Sequence, residues 1–191
     1  GTSSYDSFNQ KNYIKFLQDF EIIPIGSEIH SRWARGLRSR PILQSVMNVK
    51  YILSKDLNPK SRDYGYQEIA NIDSLKILKN MFSTPFGSTY YHILEKERFS
   101  KLSLIHKDLA IVKACIIEES AASHFDKFTG IGDVELNQEF NVKNFKGYIN
   151  RLQSDTLVIS HFSPNSIIGD ISLKTKKILF LSIPFDSGWK V

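Results

Sequence analysis

The sequence predicts an α+β fold, with a mixed α/β part of short helices around a small sheet followed by an antiparallel, β-sandwich-like part. Three observations carry this. Apolar residues across 8–20 repeat with the 3.6-residue period of a helix. Short β-type runs divided by turns fill the stretch from 49 to 94. From about residue 130, apolar-rich runs recur with polar or Gly/Pro turns between them, a spacing that favours antiparallel pairing. The change of texture sets a boundary near 125–132, at His124-Phe-Asp-Lys-Phe-Thr-Gly-Ile-Gly, and divides the chain into 1–128 and 129–191.

In order along the chain, Tyr13, Ile14, Phe16, Leu17 and Phe20 form the stripe of the first helix. Ser7 with Gln10 resembles a capping box, and Pro24 follows the helix end. A loop with Gly26 and Gly36 leads to Pro41, which suits the first turn of a short helix reaching Met47. Val49–Leu53 reads as a buried strand, and Tyr66–Ala70, Leu75–Lys79 and Thr89–Leu94 as further strands, parted by Asn71–Ser74 and the Pro85–Gly87 turn. Glu95–Ala114 reads as one helix with Phe99, Leu102, Leu109 and Val112 inward.

In the second part, strands are expected at Val134–Val142, Phe145–Leu152, Asp155–Phe162, Ile167–Leu173 and Lys177–Pro184, with Val158, Leu173, Ile178 and Phe180 facing inward. Trp189-Lys190-Val191 reads as the start of a strand cut off by the chain's end. An unpaired edge of that kind is normally avoided, so the sheet is expected to be incomplete and the chain to be part of a longer protein.

Composition excludes several classes. With 191 residues, 41% of them apolar, and 13 Phe, 8 Tyr and 2 Trp, the chain is too apolar and too aromatic to be disordered. No apolar run approaches the roughly 20 residues that span a bilayer, and no signal peptide opens it, so it reads as a soluble globular piece. The single Cys115, flanked by Ala114, Ile116 and Ile117, excludes an internal disulfide and reads as a small buried hydrophobe.

Lys plus Arg number 25 and Asp plus Glu 20, a net charge of +5 spread over Lys55–Lys60, Lys96–Lys101 and Lys174–Lys177. This is a solvated surface with room for an anionic partner such as a lipid headgroup or polyanion. Nucleic acid is not expected, because no recognition helix or aromatic-interleaved basic stretch occurs.

Catalytic templates fail. The sequence lacks GxxxxGK[ST], GxSxG, HExxH and CxxC. Gly130-Ile-Gly132 lacks the third glycine of a dinucleotide loop, and His124 with Asp126 reads as an exposed loop rather than a metal pair. Glu118 and Glu119 are adjacent and would not face each other on a helix. Nothing fixes a separation between Asp126, Asp133, Glu135 and Glu139 that would make a glycosidase pair. No catalytic residue, metal or cofactor is therefore assigned. The candidate ligand-binding residues are His30, Trp33, Arg35, Arg38 and Arg40 in the loop from Ser27, which also holds Arg32. An indole to stack on and guanidinium groups to reach anionic oxygens are how proteins hold phosphate-bearing sugars. The alternative is that Trp33 caps the core while the arginines pair with Glu21, Glu28 or solvent.

Four segments follow in order along the chain: Ser4-Tyr-Asp-Ser-Phe-Asn with Tyr13-Ile-x-Phe-Leu; Arg40-Pro-Ile-Leu-Gln-Ser-Val-Met-Asn-Val-Lys-Tyr-Ile-Leu; Leu78-Lys-Asn-x-x-x-x-Pro-Phe-Gly; and Ser163-Pro-Asn-Ser-Ile followed by Ile178-Leu-Phe-Leu-Ser-Ile-Pro-Phe-Asp-Ser-Gly-Trp-Lys-Val. Together they resemble the extracytoplasmic region of the YfhO family of bacterial multispan membrane proteins. The resemblance implies a parent that looks like a GT-C-type glycosyltransferase, decorating cell-envelope polymers from lipid-linked sugars, with its catalytic carboxylate in a loop outside this chain. It implies a non-catalytic domain at the extracytoplasmic face of the cytoplasmic membrane. Its partners would be the transmembrane part of the same polypeptide and an anionic envelope polymer or lipid headgroups. The rival readings are a free-standing carbohydrate-binding module and a structural or assembly domain without a ligand.

Overall fold

Gln10 starts the first helix. Its side-chain oxygen accepts from the Tyr13 amide at 2.6 Å, occupying one of the amides that a helix start leaves unpaired. The structure is a computed structural model that describes residues 4–5, 10–34, 36–37, 39–55 and 59–190, so Ser7 of the expected capping box lies outside the described residues. A short strand β1 (Ser4–Tyr5) precedes helix α1 (Lys11–Asp19). The expected stripe is inward, with Leu17 and Phe20 buried and Tyr13, Ile14 and Phe16 packed on them. Helix α2 (Glu28–Arg32) runs into β2 (Trp33–Ala34), which pairs antiparallel with β1. Pro41 opens α3 (Pro41–Val46), whose Ile42, Leu43 and Val46 are all buried.

The first three-stranded sheet follows from β3 (Tyr51–Ser54), β4 (Tyr66–Ile72) and β5 (Leu75–Asn80), antiparallel throughout in the order β3-β5-β4. Its inner face lays Tyr66, Leu78 and Asn80 against α3 and the core. Asn80 ties the two layers together. Its Nδ2 donates to Ser45 Oγ and to the Val49 carbonyl, each at 3.2 Å, while its Oδ1 accepts from the Phe82 amide at 3.0 Å.

Thr89–Leu94 is two strands rather than one, β6 (Gly87–Tyr90) and β7 (His92–Glu95). The break at Tyr91 lets the two serve different sheets. Glu95–Ala114 likewise divides, into α4 (Lys96–Ser100) and α5 (Leu104–Lys113). Tight bonds from the Lys101 and Leu102 amides back to Arg98 and Phe99 close α4. Ser103 then restarts the helix by accepting from the Lys107 amide at 2.8 Å. Phe99, Leu109 and Val112 are buried as expected, with Leu102 packed beside them. Next come β8 (Cys115–Ile117) and β9 (Thr129–Gly130), each parallel to β7 on opposite sides.

The largest correction falls on the expected strands Val134–Val142 and Phe145–Leu152. These residues form α6 (Asp133–Leu136) and α7 (Val142–Ser154). The cause is visible in the residues. Asn141 caps α7 by accepting from the Lys143 and Asn144 amides at 2.9 and 3.3 Å. Phe145, Tyr148, Ile149 and Leu152, all buried, repeat at i, i+3, i+4 and i+7. The antiparallel pairing expected here survives in β10 (Val158–Ser163) with β11 (Ser166–Asp170), and in β12 (Ile178–Leu181), which pairs with β6. The sheets are small and open. Ile178 is buried and Phe180 packs on the core, but Val158 faces solvent. Trp189 and Lys190 are not in a strand; a turn closes there, from the Trp189 amide to the Asp186 carbonyl at 3.1 Å. Residues from α1, α3, α5, α7 and β12 share one buried cluster.

Candidate ligand-binding cleft

The placement of α1 beside β6, β8 and the residues after β12 leaves a cleft of about 700 Å³. Its floor is apolar and aromatic: Phe16, Phe20, Tyr90, Phe99, Ile116 and Phe180. Phe20 stands 5.0 Å from Phe99, ring to ring, and Tyr90 meets Phe180 edge-on at 5.9 Å. Such contacts hold the floor rigid. The Tyr90 hydroxyl is turned away from use, donating to the Ile111 carbonyl at 2.6 Å. Cys115 stands in the wall, where burial pushes its thiol up to about 11. At neutral pH it is a thiol and a poor nucleophile.

One side of the rim is ionic. Lys15 and Asp19, one turn apart on α1, meet Lys96 from the start of α4 and Glu118 from the end of β8. Lys15 Nζ lies 2.8 Å from Glu118 Oε1, and Lys96 Nζ pairs with Asp19 and sits 3.6 Å from Glu118. The hydrogen bond from Lys15, then the charge of Lys96, holds the Glu118 carboxyl below its ordinary range, while the same bond holds Lys15 above its own. Both stay charged at neutral pH. At the far lip the Phe185 carbonyl accepts from Gln10 Nε2 at 2.6 Å and Asn12 Nδ2 at 2.7 Å, fastening the 182–185 segment across the start of α1. An apolar floor beside fixed charges suits an amphipathic ligand, apolar part inward and polar part at the rim.

The residues singled out from the sequence are placed as follows. His30 Nδ1 is hydrogen-bonded with Ser27 Oγ at 2.7 Å. The Trp33 backbone pairs with Tyr5 across β1 and β2. Arg35 and Arg38 lie outside the described residues. Arg32 pairs with Glu28 at 2.5 Å. Arg40 is occupied inside the protein. Its Nε and NH2 donate to the Asp108 carboxylate, the first at 2.7 Å, and its NH1 donates to the Phe20 carbonyl at 2.9 Å. Leu37, buried in the same loop, lines the cleft. His124 and Asp126 are exposed at the end of a 3-10 turn. Sequence reasoning missed the cleft. Its one local signal is Lys15 and Asp19 beside the apolar stripe of α1; Lys96 and Glu118 come from elements that only folding brings near.

A family described as "Bacterial membrane protein YfhO" matches residues 1–139. The chain belongs to the YfhO family. One relative is the "Uncharacterized protein YfhO" of Bacillus subtilis strain 168, 27% identical over 119 residues, which cover 62% of this chain and 14% of the relative. The match thus spans a small part of that YfhO protein's length. No solved structure matches. Among the described residues, no helix is long and apolar enough to cross a membrane.

Proposed function

We propose that this stretch is a non-catalytic extracytoplasmic domain of a bacterial membrane glycosyltransferase that modifies cell-envelope polymers from lipid-linked sugars, and that it positions the acceptor. The observation that carries the reading is the cleft, an aromatic floor edged by Lys15 and Lys96 with their partners Glu118 and Asp19, in a chain of the YfhO membrane-protein family. An acceptor with an apolar anchor and an anionic polymer matches it part for part. The anchor enters between Phe16 and Phe180, and the polymer runs along the rim past Lys15 and Lys96. Holding a bulky acceptor near the site of transfer removes part of the entropic barrier.

The test is glycosylation of the envelope polymer by the full-length protein. Ile116→Trp fills the cleft and Lys15→Glu reverses the rim; Trp33→Ala and Arg35→Ala strip the loop. Weakened acceptor use, with normal folding and membrane insertion, is expected for the cleft variants. Unchanged glycosylation in a folded Ile116→Trp protein sinks the reading.

A further inference from the structure

The sheet β3-β5-β4 shows on its outer face a chemistry that does not belong in water. Residues opposite one another in the register share a face, so the pairs Tyr51 with Lys79, Leu53 with Ile77, Gln67 with Lys79, Ala70 with Ile77, and Ile72 with Leu75 all lie on one side. The other side carries Ile52, Leu78, Tyr66 and Asn80 toward the core. An antiparallel sheet with one face on the core ordinarily alternates apolar-in with polar-out. Here the outer face is apolar as well. Leu53 is 63% exposed, Ile72 61% and Tyr51 56%, and Ile69, the extra residue of the bulge in β4, stands out beside them. A contiguous apolar patch of this kind marks a docking surface.

The charges say what docks. The only charged residue among these face positions is Lys79, and exposed Lys50 and Lys55 flank the two ends of β3. The neighbouring carboxylates are off the face: Glu68 is on the inner side, paired with Lys76 at 3.4 Å, and Asp73 is in the turn between β4 and β5. Apolar and aromatic side chains flanked by lysines, with no acid among the described residues of that face, are the composition of a surface that lies in the headgroup layer of an anionic bilayer. A protein partner would be expected to meet some of those lysines with specific ion pairs, and a second copy would set like charges against like.

We propose that the outer face of β3-β5-β4 docks on an anionic phospholipid surface, with Tyr51, Leu53, Ile69, Ile72 and Leu75 entering the interface and Lys50, Lys55 and Lys79 meeting the phosphates. The family's membrane character supplies the bilayer. The inference is independent of the cleft and of glycosyl transfer.

The test is co-flotation of the 191-residue chain with vesicles of phosphatidylcholine alone and with about 30% phosphatidylglycerol. The chain is expected to float with the anionic vesicles. Leu53→Asp with Ile72→Asp should lower the partition coefficient at least about tenfold, and Lys79→Glu should lower it at least about fivefold on anionic vesicles only. Because Leu53 and Ile72 already stand in solvent, the melting temperature of the double variant should match that of the unaltered chain, which separates lost docking from lost folding. No flotation with anionic vesicles, or equal flotation of the aspartate variants, overturns the proposal. So does a dimer in sedimentation velocity that Leu53→Asp dissolves, since a second copy would then own the face.

Discussion

Arg40 and Asp108 clamp the start of α3 to the middle of α5, with Arg40 Nε 2.7 Å from Asp108 Oδ2 and NH2 on the other oxygen. Both side chains are largely withdrawn from water, 13% and 7% exposed. Burial pushes the Asp108 carboxyl up, and Arg40 opposes that push with its hydrogen bonds and charge. Removing the arginine leaves a buried carboxylate without its partner.

Arg40→Leu should therefore destabilise the fold by about 3 kcal/mol. It should also alter the pH profile. With Asp108 raised further in the folded state, the variant's stability is greatest below the unfolded value and is lost as pH rises through the folded one. Melting curves at acid and neutral pH check both. A variant as stable as the parent at neutral pH would show that the pair contributes nothing net.

Lys113 does the work of a cap. Its Nζ donates to the carbonyls of Glu135 at 2.6 Å and of Leu136 and Gln138 at 3.3 Å, which ties α5 to the end of α6. Burial lowers its affinity for the proton, yet these carbonyls need a donor. Lys113→Met keeps the stem and deletes the donor, and should cost about 1–3 kcal/mol. Hydrogen exchange should quicken around 133–138 before it changes in the strands.

Gly65 has φ +84°, and a Cβ there would stand 2.5–2.9 Å from the Phe82 ring. Gly65→Ala faces both a left-handed backbone and a clash with a ring packed edge-on against Phe145. A loss of about 2 kcal/mol or more is expected, seen as a lower denaturation midpoint. Gly147 on the outer side of α7 meets nothing within 4 Å. Gly147→Ala should raise stability by about 0.5–1 kcal/mol.

The rim of the cleft is acid-sensitive. Glu118 has its carboxyl held below the ordinary 4.5 by Lys15 first and Lys96 after it. Its contribution is present above 4.5 and disappears as pH falls through the lower folded value. Glu118→Gln should flatten that part of the acid melting profile and leave stability in alkaline solution changed little, because the pair is half-exposed and screened.

The amino-acid sequence by itself determined the elements whose cause is local. The α1 stripe, Pro41 at the head of α3, and the strands at 66–72 and 75–80 could each be read from period and turn residues. The strand expected to be buried at Val49–Leu53 is β3, with Tyr51 and Leu53 facing outward because only one side of its sheet packs on the core. The helix α7 was legible too, in Asn141 and the spacing of Phe145, Ile149 and Leu152. Its Phe, Tyr and Ile content favours strands, however, and masks the helical period there. The family also stood in the order of short motifs along the chain. Tertiary structure alone decided what depends on distant partners. It broke 89–94 at Tyr91 so that β6 could take β12 while β7 took β8 and β9. It turned Arg40 inward to Asp108, and it brought Lys96 and Glu118 to Lys15 and Asp19 around an aromatic floor. The physical reason is that a strand edge, a guanidinium and a lysine each have many acceptable partners in the chain. Which one each takes is settled by the packing of the shared core, and no window of neighbouring residues contains that information.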